Sequence, residues 1–336
     1  MISAKPKEDE KLQNTTHAKP RIPMFFACDN NYIPYLAVTL ASIEAHASDE
    51  YEYEAFILTE GFCEKRLSML LEMNLPHVRI RTVDVGHRVE EIREKLSSTL
   101  RDYYSVSIFY RLFIPSLFKG LDRALYLDCD IVLNDDIAKL YFEDIGDNIL
   151  GAVSDETIPP IPVFKEYTER VVGMPEGKYF NSGVLLINAK RFREEKIEEK
   201  FLHLLNRYNF KTVAPDQDYL NFLCKGMVHY FDIGWNKMPH ISNGFDNINL
   251  HLVHFNMFEK PWKYNGVLYS ELFWGYARRT PFYAHIASSY ENYTNENRKR
   301  DQLGAQKLLE SATGITADGC SFAQVLGSDI FKEVKL

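Results

Sequence analysis

The chain lacks any paired-cysteine signature: its five cysteines, at 28, 63, 129, 224 and 320, are scattered and never spaced C-x-x-C. That argues against a disulfide framework or a thiolate zinc site, and it fits a reducing compartment, the cytosol. Long apolar runs are also missing; none approaches the roughly 20 residues that a membrane span requires. There is no basic surplus either. Lys and Arg number 39 against 47 Asp and Glu, a formal net charge of −8, so nucleic acid is disfavoured as the main partner. Residues 1–21 are polar with mixed charges and read as a disordered extension rather than a signal peptide. Arg298-Lys299-Arg300 is a short basic run; its default reading is a solvated helix face, with peripheral contact to an anionic membrane as the alternative. The sequons Asn14-Thr15-Thr16 and Asn292-Tyr293-Thr294 carry no weight without a secretory signal.

What the chain does have is a regular alternation of apolar runs. Apolar residues make up 46% of it, enough for a sizeable core. Ile22 to Cys28, Ala55 to Leu58, Val78 to Val85, Ala124 to Leu127, Leu150 to Ser154, Gly183 to Asn188 and Met227 to Phe231 read as buried strands. Helical spacing recurs over Tyr35 to Ala47, Glu64 to Asn74, Val89 to Leu100, Val106 to Phe118 with a break around Pro115, and Lys190 to Tyr208. The alternation predicts an α/β fold with a parallel sheet covered on both faces. From about residue 268 the pattern turns helical and aromatic.

Four constellations carry chemistry. Asp128-Cys129-Asp130 comes directly after a buried strand, the place where open α/β sheets bind ligands. Two carboxylates buried there need a cation to offset them, and a hard divalent ion that also takes substrate phosphates suits them. A solvated turn is the plainer alternative. The same string also resembles the nucleophile loop of dehalogenase-type phosphatases, but that family opens its fold with this strand, and here about 120 residues precede it. His254, with Lys260-Pro261-Trp262 downstream, offers an imidazole that favours Mn²⁺ over Mg²⁺ and a cation for a diphosphate. Pro215-Asp216-Gln217-Asp218 opens a helix; capping accounts for one of its aspartates. Phe180-Asn181-Ser182-Gly183 precedes a strand, and its glycine would let a ligand approach the backbone.

Together these motifs, in this order, resemble glycosyltransferase family 8, which includes bacterial lipopolysaccharide galactosyl- and glucosyltransferases and glycogenin. The resemblance runs over roughly residues 22–285, from Phe26-Ala27-Cys28-Asp29-Asn30-Asn31-Tyr32 through Tyr110-Arg111-Leu112 and Leu125 to Asp130. It continues through Tyr179 to Asn188 and Asp216-Gln217-Asp218, and closes at His254 to Trp262. It implies a GT-A type fold, a mostly parallel sheet flanked by helices, with domains at 22–285 and a helical appendage at 286–336.

The resemblance further implies that Ala27, Asp29 and Asn31 hold the uracil and ribose of a UDP-sugar. Asp128, Asp130 and His254 would ligate Mn²⁺, with Mg²⁺ as the alternative, and the diphosphate would sit at Asp128-Cys129-Asp130 with Lys260 against it. Arg111 would lie near the donor sugar, Asn181, Asp216 and Gln217 near its anomeric carbon, and Asp155 on the sugar side. The implied activity is retaining transfer of galactose or glucose to a saccharide acceptor, lipid-linked or free, in lipopolysaccharide or surface-polysaccharide synthesis. A non-catalytic nucleotide-sugar sensor is the other alternative. The chain departs from the family's Gly-x-x-Lys-Pro-Trp pattern by carrying Met257 at the glycine position. The acceptor is expected near segment 155–178, with its stiff Ile158-Pro159-Pro160-Ile161-Pro162 loop, and the C-terminal helices.

Overall fold

The structure is a computed structural model that describes residues 19–90, 93, 105–240 and 248–327. Most of the expected N-terminal extension, the first sequon, and most of the helix expected over 89–100 lie outside the described residues.

Among the described residues nine strands are formed: β1 (Arg21–Ala27), β2 (Glu52–Thr59), β3 (Val78–Asp84), β4 (Arg123–Leu127), β5 (Ile131–Leu133), β6 (Leu150–Ser154), β7 (Phe180–Asn188), β8 (Val228–Tyr230) and β9 (Leu252–His254). Seven of them make one sheet in the order β3-β2-β1-β4-β7-β6-β8, while β5 and β9 pair separately. The neighbours β1–β2, β2–β3, β1–β4 and β6–β8 are parallel. The sheet is therefore mostly parallel but not wholly so, because β7 runs antiparallel to both β4 and β6.

That reversal has a local cause and a functional consequence. The chain leaving β6 never crosses to the opposite edge of the sheet: Asp155 N–H, just past β6, bonds Tyr179 C=O, just before β7, at 2.9 Å. β7 thus starts at the end where β4 and β6 finish, and Leu127 pairs with Val184. Phe180-Asn181-Ser182-Gly183 is delivered to the carboxyl ends of the parallel strands, where a returning parallel strand would have carried it to the far side.

Alternate residues of the central strands β1, β4 and β7 feed one of two cores. Phe25, Tyr126, Leu185 and Ile187 pack with Phe113, Phe201 and Tyr219 on one face. Met24, Phe26, Leu125, Leu127, Val184 and Leu186 pack with Leu36, Leu40 and Trp262 on the other. This period of two is what a sheet covered on both sides demands.

Two expected helices are modified. Val106–Phe113 is a 3-10 helix that gives way to an α-helical turn, Ile114–Leu117, so Pro115 starts the second piece. The helix expected over 190–208 is split into Ala189–Glu194 and Ile197–Arg207, with Lys196 at φ 53° between them. At the C-terminal end the 24-residue helix Asn295–Asp318 starts at a Thr294–Asn297 capping box and packs back on the helix Pro162–Tyr167. No helix among the described residues is long and apolar enough to cross a membrane.

Candidate active site

The turn after β4 is held from below by the helix Ile33–His46. Thr39 Oγ1 lies 3.0 Å from Cys129 C=O and 2.8 Å from Ile131 C=O, so its one proton is shared between them. Ser42 Oγ accepts Leu133 N–H at 3.0 Å. Both hydroxyls are fully buried. They fix the path of the chain through 129–133, so that Asp128 and Asp130 face one space while Cys129 turns inward and its thiol donates to Ala27 C=O at 3.2 Å. A hydrogen bond with Cys28, and burial, push the Cys129 thiol well up, and it stays neutral.

The third side chain comes from β9, where Ile131 pairs with His254. His254 Nε2 lies 3.3 Å from Asp130 Oδ1 and 3.6 Å from Asp128 Oδ2. The tautomer is set by the backbone. Gly183 N–H can only donate, so Asn181 must present Oδ1 to it (2.9 Å). That same oxygen accepts from Asn236 Nδ2 at 3.0 Å, which turns Asn236 Oδ1 toward His254 Nδ1 at 2.9 Å. Nδ1 therefore carries a proton, and Nε2 is the ring nitrogen turned toward the two carboxylates, the one that can present a lone pair to a metal.

One ligand atom from each of Asp128, Asp130 and His254 lies within 4.8 Å of the others. Three acceptors facing one another with no donor between them repel unless a cation sits among them. The space for one is kept by Gly183: a Cβ there would stand 2.5 Å from Asp128 Oδ2 and closer still to the His254 ring. Two carboxylate oxygens and an imidazole nitrogen are a donor set for a divalent transition metal, and these residues fit one.

Around this triad lies a cavity of about 540 Å³. Among the described residues, five aspartates line it (29, 128, 130, 155 and 216) against two permanent cations, Arg111 and Lys260. Lys260 Nζ donates to Asp130 Oδ2 and to Phe255 C=O. Burial works against its charge, but Asp130 outweighs that and pushes Lys260 up to about 12. Asp130 is likewise buried, yet Lys260 holds it well below the usual carboxylate range. The buried Arg111 bonds Asp128 Oδ1 at 3.0 Å and faces Asp216 Oδ2 at 3.2 Å, while its Nη1 bonds Ser182.

The sugar-side residues form one hydrogen-bonded chain. Ser182 N–H donates to Gln217 Oε1 at 2.9 Å, so Gln217 Nε2 must face Asp155 Oδ2, at 3.0 Å. Asn181 Nδ2 reaches the same Asp155 oxygen at 3.2 Å. Asp216 accepts from Ser182 Oγ at 2.8 Å, and burial pushes its carboxyl up despite Arg111. Asp218 points the other way, into the core, where Tyr167 and Tyr179 hydroxyls each donate to it at 2.6 Å.

Most of the residues expected from the sequence therefore meet in one cavity: Ala27, Asp29, Arg111, Asp128, Cys129, Asp130, Asp155, Asn181, Asp216, Gln217, His254 and Lys260. Asn31 is set apart. It is exposed, off the cavity lining, and its backbone N–H is taken by Asp29 Oδ1 at 2.8 Å. Tyr32, one residue on, lines the cavity instead, its ring 6.0 Å from Lys260 Nζ. Met257, at the family's glycine position, adopts φ 56°, the left-handed backbone that glycine takes without strain. Three residues of the site carry no role in the sequence reading: Asn236, Ser182 and Thr39. Ser182 at least sits inside a flagged motif, whereas nothing around Asn236 or Thr39 signals a role.

The comparisons with known proteins place the chain among glycosyltransferases. A Haemophilus influenzae protein is 30% identical over 216 residues, 64% of this chain and 63% of that protein. General stress protein A of Bacillus subtilis is 27% identical over 267 residues, covering 74% of this chain and 90% of its own length. Lipopolysaccharide 1,2-glucosyltransferase of Escherichia coli K12 is 28% identical over 225 residues, 65% of this chain and 62% of that enzyme. The match thus spans less than two thirds of the Haemophilus and Escherichia proteins. Among solved structures, galactosyltransferase LgtC in complex with donor and acceptor sugar analogues superposes with a TM-score of 0.64 at 27% identity, covering 77% of this chain and 96% of LgtC. The bifunctional glycosyltransferase WbbM, at 23% identity and a TM-score of 0.67, covers 82% of this chain, spans 53% of its own, and shares the fold. The dehalogenase-type alternative is not favoured, since the glycosyl transferase family 8 profile matches residues 23–266, across every strand of the sheet. The chain belongs to glycosyltransferase family 8.

Proposed function

We propose that this chain is a retaining hexosyltransferase that moves galactose or glucose from a UDP-sugar to a saccharide acceptor in the synthesis of a bacterial surface glycan. The observation that carries the reading is the facing of Asp128, Asp130 and His254 Nε2 across the space that Gly183 leaves open. Mn²⁺, or Mg²⁺ in its place, would be held by these three side chains and would neutralise charge on the diphosphate. Names of relatives support the donor class, since one is a lipopolysaccharide glucosyltransferase and another a galactosyltransferase.

The chain's own residues divide the remaining work. Lys260, charged and buried, stands against the leaving diphosphate, where negative charge grows in the transition state. Asp29 and Ala27, at the end of β1, face the nucleoside. Asp155, Asn181 and Gln217 present a rigid polar edge to the sugar, because each is already oriented by the others or by a backbone N–H. Asp216 is held by Arg111 and Ser182, which suits a carboxylate that stabilises positive charge on the sugar better than one that attacks it. This favours same-face displacement, with the acceptor proton passing to the departing phosphate oxygen, over a covalent glycosyl-enzyme. We take 22–285 as the catalytic unit and 286–336 as a helical appendage, working in the cytoplasm with peripheral membrane contact where the acceptor is lipid-linked.

A hydrolysis screen tests the reading without an acceptor. UDP-galactose or UDP-glucose should be cleaved slowly with Mn²⁺, and EDTA should stop it. Gln217→Ala should lower kcat far more than it weakens UDP binding. Full activity in excess EDTA, or no cleavage of any UDP-hexose, would sink the proposal.

A further inference from the structure

The cavity is not uniformly polar. Moving across the sheet from β1 toward β6, its lining passes from Asp29 and Tyr32, through the triad, to Asn181 and Asp155. Beyond Asp155 it changes character. The loop and helix after β6 contribute Ile158, Ile161 and Phe164, together with Thr157, Tyr167 and Thr168, whose hydroxyls already donate within the protein, and the helix Asn295–Asp318 contributes Ala305, Leu308 and Leu309. Among the described residues, every charged side chain on the lining belongs to the group around Asp128; the residues drawn from 105–108, 156–168 and 305–309 are all uncharged. Leu309 is 37% exposed, a large aliphatic side chain left outside both cores.

Sugars are held by polar groups and flat aromatic faces. Branched aliphatic side chains around a phenyl ring, with the neighbouring hydroxyls already bonded within the protein, are instead a surface for hydrocarbon. Among the described residues the lining at this end carries no charge to balance a phosphate or diphosphate, which disfavours such a group there. The wall is continuous with the reacting centre: Thr157 donates to Asp155 Oδ1 through both its backbone N–H (2.9 Å) and its hydroxyl (2.5 Å), so Ile158 comes directly after a sugar-side residue's own partner. The apolar wall therefore begins three residues after Asp155 and lines the same cavity as the reacting centre.

We infer that the acceptor carries an aliphatic aglycone on, or one sugar away from, the residue that is glycosylated, and that Ile158, Ile161, Phe164, Leu308 and Leu309 bind it. The inference rests on the glycosyltransferase reading and adds the chemical class of the acceptor's far end. It also gives the C-terminal helix a part in substrate choice: two of its leucines form the wall that receives the hydrocarbon.

The test uses the full chain loaded with UDP and Mn²⁺, titrated calorimetrically with methyl and n-hexyl β-glycosides of glucose and galactose below their micelle concentrations. For at least one sugar the hexyl compound should bind tenfold or more tightly than the methyl one, about 1.4 kcal/mol. In Leu309→Glu, and separately in Ile161→Glu, that ratio should fall to about one. Melting temperatures show whether each variant is folded; because Leu309 is partly exposed, its variant keeps the test usable if Ile161→Glu is unstable. Equal binding of methyl and hexyl compounds, absence of binding by both, or a hexyl preference that survives in both variants would overturn the inference. UDP-hexose hydrolysis by the unaltered chain is measured alongside. Its absence counts against the glycosyltransferase reading, whereas hydrolysis without a hexyl preference counts against the aliphatic acceptor alone.

Discussion

Two aspartate pairs with the same D-x-D spacing, Asp128/Asp130 and Asp216/Asp218, end in opposite electrostatic situations. Asp218 is saturated by the protein itself: two tyrosine hydroxyls and the N–H groups of Val213 and Ala214 all donate to it. Asp128 and Asp130 do receive donors, from Arg111, Tyr126 and Lys260, but only on their outer oxygens. Their inner oxygens face the lone pair of His254. A carboxylate whose oxygens are all met by protein donors is structural; one that leaves an oxygen facing another acceptor is prepared for a ligand. Spacing alone cannot tell these apart, since decisive donors come from far along the chain, as Lys260 does for Asp130 from 130 positions away.

The difference can be broken from either side, and the largest expected effect lies on the ligand side. Asp130→Asn should lower Mn²⁺-dependent UDP-hexose cleavage roughly 10³-fold while leaving the far-ultraviolet circular dichroism unchanged. Asp218→Asn should show the converse profile. One oxygen that accepts hydrogen bonds becomes a donor facing other donors, a loss that removal of the buried charge partly offsets at neutral pH, so unfolding free energy should drop by about 1 kcal/mol, with turnover at low temperature much less affected. Denaturant titration measures it.

The same residue carries a pH signature. Burial pushes the Asp218 carboxyl from 3.8 to about 6. Between those values the folded state keeps a proton that the unfolded chain has lost, so stability is full below about pH 4 and falls as pH rises toward 6, by up to ~3 kcal/mol. Asp218→Asn should remove that slope.

A smaller effect tests the orientation of the third ligand. Asn236→Ala leaves His254 Nδ1 without its partner and should raise the Mn²⁺ concentration for half-maximal activity roughly 10- to 100-fold. The smallest concerns the rim of the cavity. Met257→Gly relieves a left-handed backbone and should add no more than about 1 kcal/mol to stability in a thermal melt, because the more flexible unfolded chain offsets part of the gain.

Much of this was legible in the sequence where one local signal sufficed. The run Ala124 to Leu127 reads as a buried strand, and an acidic pair at its end reads as a site. His254 was marked by the downstream Lys260-Pro261-Trp262, but its meeting with Asp130 depends on β5 pairing with β9, two three-residue strands too short to show a period. The expectation of a mostly parallel sheet holds, but which strand runs against the rest is not legible, because burial on both faces looks the same in a strand of either direction. The motif implies a nucleoside contact for Asn31; in the turn at the start of the helix Ile33–His46 Asn31 is exposed and Tyr32 lines the cavity, a difference of one residue that a motif does not resolve. Asn236 was invisible: an asparagine in a 3-10 turn has no pattern until its partners are known.

Gly183 also offers a way of making controls. An inactive variant is usually made by deleting a ligand, which changes the charge of the site and disturbs whatever balanced it. Gly183→Ala would be isoelectric with the parent and would keep every acid, base and amide of the site in the chain. It adds only a methyl group where the three ligands meet. A cavity dead by occupancy and a cavity dead by discharge would then be separate reagents for asking which of the acceptor's contacts depend on the cation.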